Sequence, residues 1–269
     1  MSTTALVTGA SSGIGRAIAL HLASRGIRVF GTARHPEPEQ SASFEMLPLD
    51  VRSDESVDQC VKLALERAGQ LDVLVNNAGY ALTGAAEETS IEEAKAQFDT
   101  NFFGAVRVVN AVLPAMRKAG TGKIINIGSL AGLTAIPFMP FYSATKFALE
   151  GYSETLWYEL RPLGIAVSLV EPTFVHTRIE EGSSTASRVL ADYDAPRQRT
   201  IASIGRFVKE GIAPEQVAAC VLEIVESRSP RLRYRVGTDA TWLPRLKAIA
   251  PWRVFADGVW RRFAQDMRV

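Results

Sequence analysis

The sequence predicts an α/β fold, in which a doubly wound parallel β-sheet carries helices on both faces. Short apolar runs, typical of buried parallel strands, alternate with segments of helical periodicity along the chain. No linker interrupts this alternation, so we expect residues 1–269 to form a single domain. A Rossmann-type sheet of about seven strands in the order 3-2-1-4-5-6-7 is expected. The strands are expected to start near residues 4, 28, 45, 71, 123, 165 and 233.

A glycine-rich turn joins the first strand to the first helix. The segment 8–15 (TGASSGIG) follows the apolar run 5–7 and opens a stretch of helical periodicity. At such a turn, backbone N–H groups and the helix N-terminus can bind a pyrophosphate. Gly9 and Gly13 permit tight backbone geometry, and Gly15 permits close packing of helix on strand. The spacing differs from the common G-x-G-x-x-G, and an ordinary strand–helix turn would share it. With the motifs below, we expect a dinucleotide-binding domain.

The end of the second strand indicates which dinucleotide is bound. An NAD site usually places an acidic residue there for the ribose 2′-OH, whereas an arginine accommodates a 2′-phosphate. This chain has Ala33-Arg34 and no acid at that point. Arg34 can form a charge-assisted bond to phosphate, which favours NADP and leaves NAD open. Glu37 and Glu39 follow closely and are alternative partners for Arg34.

Tyr142 and Lys146 are four residues apart in a segment, 142–160, with a broad apolar surface typical of a helix. Positions i and i+4 are neighbours on one helix face, so both side chains can reach one cavity. A free tyrosine has a pKa of about 10, and lowering it by ~3 units requires about 4 kcal/mol. A nearby ammonium group at an effective dielectric constant of about 20 can supply that amount. The pair therefore predicts a general acid/base, although Tyr-x-x-x-Lys also occurs by coincidence.

Polar residues follow two further apolar runs. Ser129 comes after the run 123–128, at a carboxyl strand end where ligands of open α/β sheets bind. Its hydroxyl can hold a substrate oxygen or satisfy its own backbone. The segment 76–79 (NNAG) closes the run 71–75 and turns the chain. Asn101 lies within a helix expected from about residue 91 to 118, where an amide can perturb the backbone or hold a water.

These segments, in this order and spacing, strongly resemble the short-chain dehydrogenase/reductase family over about residues 3–237. The resemblance implies that Tyr142 is the general acid/base, that Ser129 positions the substrate carbonyl, that Lys146 holds the nicotinamide ribose and depresses the Tyr142 pKa, and that Asn101 anchors a relay water. It implies a cofactor site made of Gly9, Ser11, Ser12, Gly13, Ile14, Arg34, Asp50, Val51, Asn77, Ala78, Gly79, Tyr142, Lys146, Pro172, Val175 and Thr177. No metal is implied.

One position departs from the family pattern. The family often has Pro-Gly after the sixth strand, whereas this chain has Pro172-Thr173. The threonine calls the backbone shape beside the nicotinamide into question. The nearby Val-His-Thr run resembles the branch that contains 17β-hydroxysteroid and retinol dehydrogenases, which hints at a lipophilic substrate.

Two regions should vary with function. Residues 177–211 have poor periodicity and occupy the place of a substrate lid in the family. Phe138, Met139, Phe141 and Phe174 are candidates for an apolar wall or for ordinary core. The extension 240–269 has three tryptophans among arginines, with helical spacing from Trp252 to Phe263. That helix can pack on the domain, contact a subunit or lie on a membrane surface. The resemblance also implies a homodimer or homotetramer through helices near 91–118 and 142–162.

Composition excludes several classes of function. The net charge of +1 gives no electrostatic case for nucleic acid. Cys60 and Cys220 imply no disulfide framework and fit reduced, cytoplasmic thiols. No apolar stretch approaches the ~20 residues of a membrane span, no signal peptide is evident, and no metal-binding spacing occurs.

The sequence therefore predicts an NADP-preferring oxidoreductase that acts on a small-molecule carbonyl or secondary alcohol. Two alternatives remain. A regulatory protein could bind the dinucleotide without turnover, and Thr173 favours it. An NAD-linked alcohol dehydrogenase of the same fold would differ at Arg34.

Overall fold

A seven-stranded parallel sheet is the centre of the computed structural model, which describes residues 3–36, 43–177 and 183–264. The strands of these ranges are β1 (Thr4–Val7), β2 (Arg28–Ala33), β3 (Glu45–Pro48), β4 (Val73–Asn76), β5 (Ala81–Thr83), β6 (Gly122–Ile127), β7 (Ile165–Pro172), β8 (Ser183–Thr185) and β9 (Arg233–Val236). The sheet order is β3-β2-β1-β4-β6-β7-β9, and the short β5 and β8 pair separately. The predicted fold class and strand order are confirmed. The expected starts are correct to within about two residues; β5 and β8 were not predicted.

Helices cover both faces of the sheet. Their bounds are α1 (Gly13–Ser24), α2 (Asp54–Ala68), α3 (Ile91–Phe98), α4 (Gly104–Ala119), α5 (Pro140–Leu160), α6 (Asp194–Lys209), α7 (Pro214–Glu226), α8 (Thr238–Ile249) and α9 (Trp252–Ala264). One core lies between the sheet and α1 and α7, and a second lies between the sheet and α2, α4 and α5. Strand β1 serves both cores, because Ala5 and Val7 face the first and Leu6 faces the second.

The helix expected over 91–118 is interrupted. A π-helical stretch, Asp99–Phe103, separates α3 from α4 and contains Asn101. The Asn101 side chain accepts a hydrogen bond from the Tyr80 N–H (3.0 Å) and donates to the Tyr80 carbonyl (2.8 Å). These bonds hold the amide against the segment after β4. A π-helical turn inserts an extra residue, which is how a helix can reorient one side chain without ending.

The segment expected to be an irregular lid contains a regular helix, α6. Residues 178–182 of that segment lie outside the described ranges. The periodicity of α6 was hidden because two of its inward residues are polar, Arg197 and Thr200, both buried. Arg197 forms ion pairs with buried Glu88 and with Asp194. Burial of an arginine in this way requires such partners, and they fix α6 to the loop after β5.

The end of the chain forms two helices, α8 and α9. The helical spacing noted from Trp252 onward is confirmed in α9, where Phe255 and Phe263 are buried. Phe263 lies against the rings of Phe174 and Phe207, so α9 packs on the domain beside α6. Within the described ranges, no helix combines the length and apolar character needed to cross a bilayer.

Candidate active site

The turn between β1 and α1 has the open geometry that its glycines predict. Gly9 and Gly13 have φ values of +66° and +52°, in the left-handed region where a side chain is strained. A Cβ at Gly15 would collide with the Gly9 carbonyl oxygen. Ser12 is the N-cap residue of α1, yet its side chain makes no capping bond. The turn therefore presents first-turn N–H groups without a side-chain cap, as an anion site requires.

Hydrogen bonds tie this turn to the end of β4. The Asn77 side chain donates to the carbonyls of Thr8 (3.0 Å) and Gly9 (3.1 Å). The Thr8 hydroxyl accepts from the backbone N–H groups of Asn77 (2.9 Å) and Ala78 (3.0 Å). Strands β1 and β4 are neighbours at the point where the order of the sheet reverses. Ligands of open α/β sheets bind outside the carboxyl strand ends at this point.

A cavity of about 330 Å³ opens at the same edge of the sheet. It brings together most of the predicted site residues: Gly9, Ser12, Gly13, Ile14, Asn77, Ala78, Gly79, Ser129, Tyr142, Lys146, Pro172, Val175 and Thr177. Five predicted site residues do not line it: Ser11, Arg34, Asp50, Val51 and Asn101. Of these, Asn101 lies directly behind the wall, since a Cβ at Gly79 would come within 3.1 Å of its Oδ1.

Tyr142 and Ser129 meet in the cavity. Ser129 caps the short 3₁₀ turn after β6, and its Oγ accepts from the Ala131 N–H (3.0 Å). Tyr142 lies in the first turn of α5. Burial raises the pKa of the Tyr142 phenol above its usual value, and the hydrogen bond with Ser129 opposes that rise. Both residues line the same cavity, as the assignment of both to one substrate oxygen requires.

Lys146 lies one helical turn beyond Tyr142, but its ammonium is directed elsewhere. Nζ donates to the Ile127 carbonyl (2.7 Å) and is 5.8 Å from the centre of the Tyr142 ring. Burial lowers the Lys146 pKa to about 8, and the charge of Glu150 partly offsets this. The expected depression of the Tyr142 pKa by Lys146 is not found in this structure. Burial is the larger influence on the phenol, and it acts in the opposite direction.

Sequence reasoning missed a buried group of acids and arginines beneath Lys146. Glu150, on α5, and Glu171, on β7, are 8% and 0% exposed. Arg233 Nε contacts Glu150 Oε2 at 3.1 Å and Glu171 Oε1 at 3.5 Å. Arg235 Nε contacts Glu171 Oε2 at 3.3 Å. Burial, and next the charge of Glu171, raise the Glu150 pKa to about 7 against the opposing effect of Arg233. The i+4 spacing from Lys146 was the available signal.

A polar chain inside the sheet was also missed. Asn76 Nδ2 donates to Asn126 Oδ1 (2.9 Å), and Asn126 Nδ2 donates to Ser153 Oγ (2.8 Å). All three residues are buried, and they join β4, β6 and α5. An asparagine within each of two apolar strands was the signal in the sequence. Because buried polar groups are costly unless paired, this polar chain fixes α5, the helix that carries Tyr142 and Lys146, against the sheet.

The outer end of the site contains two arginines. Arg34 is exposed at the end of β2, as predicted. Arg52, which the sequence reasoning missed, binds Asp50 through Nε (3.0 Å) and Nη2 (2.7 Å). These bonds, helped by the charge of Arg34, hold the Asp50 pKa at about 2 despite partial burial. Val51 is buried and packs close to Gly104. The alternative partners Glu37 and Glu39 lie outside the described residues.

The threonine that departs from the family pattern is accommodated by a glycine. Thr173 lines the cavity, and its N–H donates to the Val236 carbonyl (2.9 Å). Gly237 has a φ of +95°, and a Cβ there would collide with Thr173 Cγ2. The Thr173 Oγ1 is buried without a hydrogen-bond partner among the described residues. Thr173 thus keeps a backbone hydrogen bond to β9, and its hydroxyl is buried beside the cavity without a partner in the described ranges.

Apolar side chains form the remaining wall of the cavity. These are Leu130, Ile136, Met139, Phe174, Ile204 and Val208. Phe207 and Phe263 pack behind Phe174. Met139 and Phe174 therefore belong to the predicted apolar wall. Phe138 instead packs on Tyr193, and Phe141 lines a separate groove with α3.

Comparisons with known proteins agree with this geometry. Residues 3–188 match the family model described as short chain dehydrogenase. A 3-ketodihydrosphingosine reductase from Bacteroides thetaiotaomicron is 40% identical over 249 residues, which cover 89% of this chain and 92% of that protein. The human retinol dehydrogenase 8 is 38% identical over 268 residues, which cover 91% and 85%.

Solved structures show the same fold. A short chain dehydrogenase/reductase from Burkholderia phymatum in complex with NAD superposes with a TM-score of 0.81 at 28% identity, covering 92% of this chain and 93% of that one. ElxO with NADP bound gives a TM-score of 0.74 at 25% identity, covering 88% and 97%. Nicotinamide cofactors of both kinds thus occur among these neighbours.

Proposed function

The chain belongs to the short chain dehydrogenase family, so it is an oxidoreductase acting on CH–OH or C=O groups with a nicotinamide cofactor, and we propose that it prefers NADP and acts on a lipophilic carbonyl or secondary alcohol. The observation that carries the proposal is the meeting of Ser129, Tyr142 and Lys146 with the glycine turn in one cavity. A reacting carbon placed there has a cofactor site on one side and a proton donor on the other.

The residues present fit a bound dinucleotide. The uncapped first turn of α1 and the bare backbone at Gly9 and Gly13 suit a pyrophosphate. Ser11 and Ser12 flank it, and Ile14, Asn77, Ala78 and Gly79 line the neighbouring cleft. Pro172, Thr173, Val175 and Thr177 line the part of the cavity that would receive the carboxamide. When bound, the nicotinamide exchanges a hydride with the substrate carbon.

The chain's own residues manage the proton and the geometry. Tyr142 protonates the forming alkoxide, or deprotonates the alcohol in the reverse direction. Ser129 holds the same oxygen by hydrogen bonding. Lys146, which contacts the Ile127 carbonyl here, would hold the ribose hydroxyls of a bound cofactor, and its charge would then favour phenolate. Asn101, behind Gly79, anchors a water that returns the proton to solvent. General acid/base groups of this kind contribute about 10²–10⁴-fold to rate.

Arg34 supports the preference for NADP. Its exposed guanidinium is near enough to Asp50 to help lower the pKa of that carboxyl, at the end of the site where the adenosine would lie, and it forms no ion pair within the described ranges. Arg52 is committed to Asp50, which leaves Arg34 to bind a 2′-phosphate. We expect Arg34→Ala to weaken NADPH binding by more than about tenfold and to leave NADH binding unchanged. Equal loss for both cofactors would contradict this role.

The apolar wall supports a lipophilic substrate. Ile136, Met139 and Phe174 face the cavity, and nonpolar walls with a few convergent polar groups are typical of small-molecule sites. The names of the two relatives, 3-ketodihydrosphingosine reductase and retinol dehydrogenase 8, denote activities on a lipophilic ketone and a lipophilic alcohol. No role for nucleic acid or metal is proposed.

The testing experiment combines cofactor binding with turnover. Purified protein is titrated with NADPH and NADH by fluorescence, and NADPH oxidation is then followed with ketones and aldehydes graded by chain length and polarity. We expect tight NADPH binding and a kcat/KM that rises with apolar chain length. Tyr142→Phe should bind NADPH normally and lose at least about 10²-fold in turnover. Normal turnover in that variant would sink the mechanism, and binding without turnover in the wild type would favour a regulatory protein.

Self-association through α4 and α5 is a further part of the proposal. Phe103, Phe147, Tyr158 and Leu163 are exposed on or beside these helices. Such side chains fit a homodimer or homotetramer face. Cys60 and Cys220 are free thiols, which fits a reducing, cytoplasmic location. Light scattering of the wild type and of Tyr158→Ser/Leu163→Ser tests the interface, since a dimer should dissociate in the variant.

A further inference from the structure

Exposed apolar side chains concentrate at the junction of α8 and α9. Trp242, Ile249, Trp252 and Val254 are 61%, 82%, 68% and 65% exposed, and Trp260 follows at 47%. Three of the four tryptophans of the chain lie in this stretch. Single exposed apolar residues are ordinary, but a contiguous group marks an interaction surface. We call residues 242–261 the α8–α9 corner.

The apolar side chains of α8 lie on one side of the helix. Trp242, Leu246 and Ile249 are spaced i, i+4 and i+7, and all three are exposed. The stripe ends at Ile249, only three residues before Trp252 opens α9. Meanwhile α9 directs Phe255 and Phe263 inward, so its packing on the domain does not use the exposed residues.

Positive charge accompanies this apolar surface. Arg245, Arg253 and Arg261 lie in the corner, and none forms an ion pair within the part of the chain that the structure describes. Residues 238–264 contain five basic and two acidic residues, whereas the whole chain has a net charge of only +1. Arg245 also lies 5.1 Å from the centre of the Trp242 ring. Tryptophan and arginine together are typical of residues at a membrane–water interface.

The corner lies next to the substrate cavity. Lys247 of α8 donates to the Leu133 carbonyl (2.9 Å), in the loop that continues to the cavity residues Ile136 and Met139. On the other helix, Phe263 packs on the cavity residue Phe174. Both helices are thus anchored to elements that wall the cavity, while their exposed side chains face outward.

From these observations we propose that the α8–α9 corner docks on the surface of an anionic lipid bilayer. Trp242, Ile249 and Trp252 would enter the headgroup region, and Arg245, Arg253 and Arg261 would contact acidic headgroups. The docking itself does not depend on the proposed function. The purpose of the docking rests on the proposed function, because a lipophilic substrate dissolved in the bilayer would then enter the neighbouring cavity without crossing water.

Vesicle binding tests the proposal without any turnover. Full-length protein is mixed with vesicles of phosphatidylcholine alone or with about one-third phosphatidylglycerol, and sedimentation and tryptophan fluorescence are measured. We expect binding and a blue shift with the anionic vesicles, weakened by salt because exposed charges are screened. Arg253→Gln/Arg261→Gln should weaken binding roughly 30-fold, at about 1 kcal/mol for each arginine near the surface.

Two further variants distinguish docking through the corner from nonspecific adsorption of exposed apolar side chains. Trp242→Ser/Ile249→Ser/Trp252→Ser removes exposed apolar groups and should abolish vesicle binding with NADPH affinity and thermal unfolding unchanged. Ile91→Ser/Val189→Ser removes exposed apolar groups at the start of α3 and before α6, away from the proposed α4–α5 interface, and should bind vesicles like the wild type. Absence of wild-type binding, or equal loss in both variants, overturns the proposal. So does a solution dimer that the corner variant dissociates, because a second copy then covers this surface.

Discussion

Replacing Glu150 by glutamine perturbs the acid pair beneath Lys146 with almost no change in shape. The Glu150 pKa is about 7 in the folded chain, against an ordinary glutamate value of 4.5. A raised carboxyl pKa means that the folded state keeps its proton while the unfolded state has lost it. The stabilisation of the folded state by the protonated Glu150 carboxyl is therefore fully present below pH 4.5 and is lost as the pH rises to about 7. At 1.36 kcal/mol per unit, the loss amounts to about 3 kcal/mol.

Glutamine imitates the protonated acid, because it is neutral and its amide can still donate to Glu171. Glu150→Gln should therefore lack the pH-dependent loss of stability. We expect its free energy of unfolding, relative to wild type, to rise by about 2–3 kcal/mol between pH 5 and pH 8. Urea unfolding at several pH values measures this quantity, provided that the m-values agree.

A matched control lies one turn further along α5. Glu154 binds the same arginine, Arg233, at 2.6 Å, but its side chain is 42% exposed. Glu154→Gln should reproduce the pH dependence of the wild type in this window, since the Glu154 pKa is lowered, not raised. If wild type and Glu150→Gln show parallel stability curves from pH 5 to pH 8, the buried acid does not hold a proton and the reasoning fails.

Two other predictions concern the site itself. Gly237→Ala should destabilise the fold by about 1–3 kcal/mol in thermal or urea unfolding, because the φ of Gly237 is +95° and the new methyl group would collide with Thr173. Adding Thr173→Gly should recover part of this loss, and full stability of Gly237→Ala alone would contradict the prediction. The kcat/KM should fall as the pH rises through about 8, where Lys146 loses its proton, and Glu150→Gln should shift this fall to lower pH because the Glu150 charge raises the Lys146 pKa. An unchanged pH profile in that variant would show that Glu150 does not influence Lys146.

The sheet was predictable because parallel strands buried on both faces are short apolar runs, such as Ala5-Leu6-Val7. The glycine turn, Ser129 and Tyr142 with Lys146 were also predictable, since their order along the chain restricts where strand ends and helix faces place them. Most of these residues do meet in one cavity. The prediction missed helix α6, because polar residues on its buried face conceal the apolar periodicity by which a helix is recognised.

The acid pair and its arginines were not predictable for a different reason. Glu150 and Glu171 are separated in sequence and are brought together only when α5 packs on β7. The orientation of Lys146 toward Ile127 is likewise a property of the packed structure, and burial reverses the expected effect on the Tyr142 pKa. Spacing can place side chains on one face of a helix, but it does not give their desolvation.

The buried ion pair between Glu88 and Arg197 determines how α6 can move when the cavity opens. Glu88 is almost fully buried and accepts from the N–H groups of Ala85 and Leu190 as well as from Arg197. If α6 swung away alone, it would strand this carboxylate without its cation, which typically costs 3–5 kcal/mol. A concerted excursion, in which residues 190–209 leave together with the loop around Glu88, avoids that intermediate. Helix α6 and the loop therefore form one cooperative opening unit, whose amide protons should exchange at a common rate.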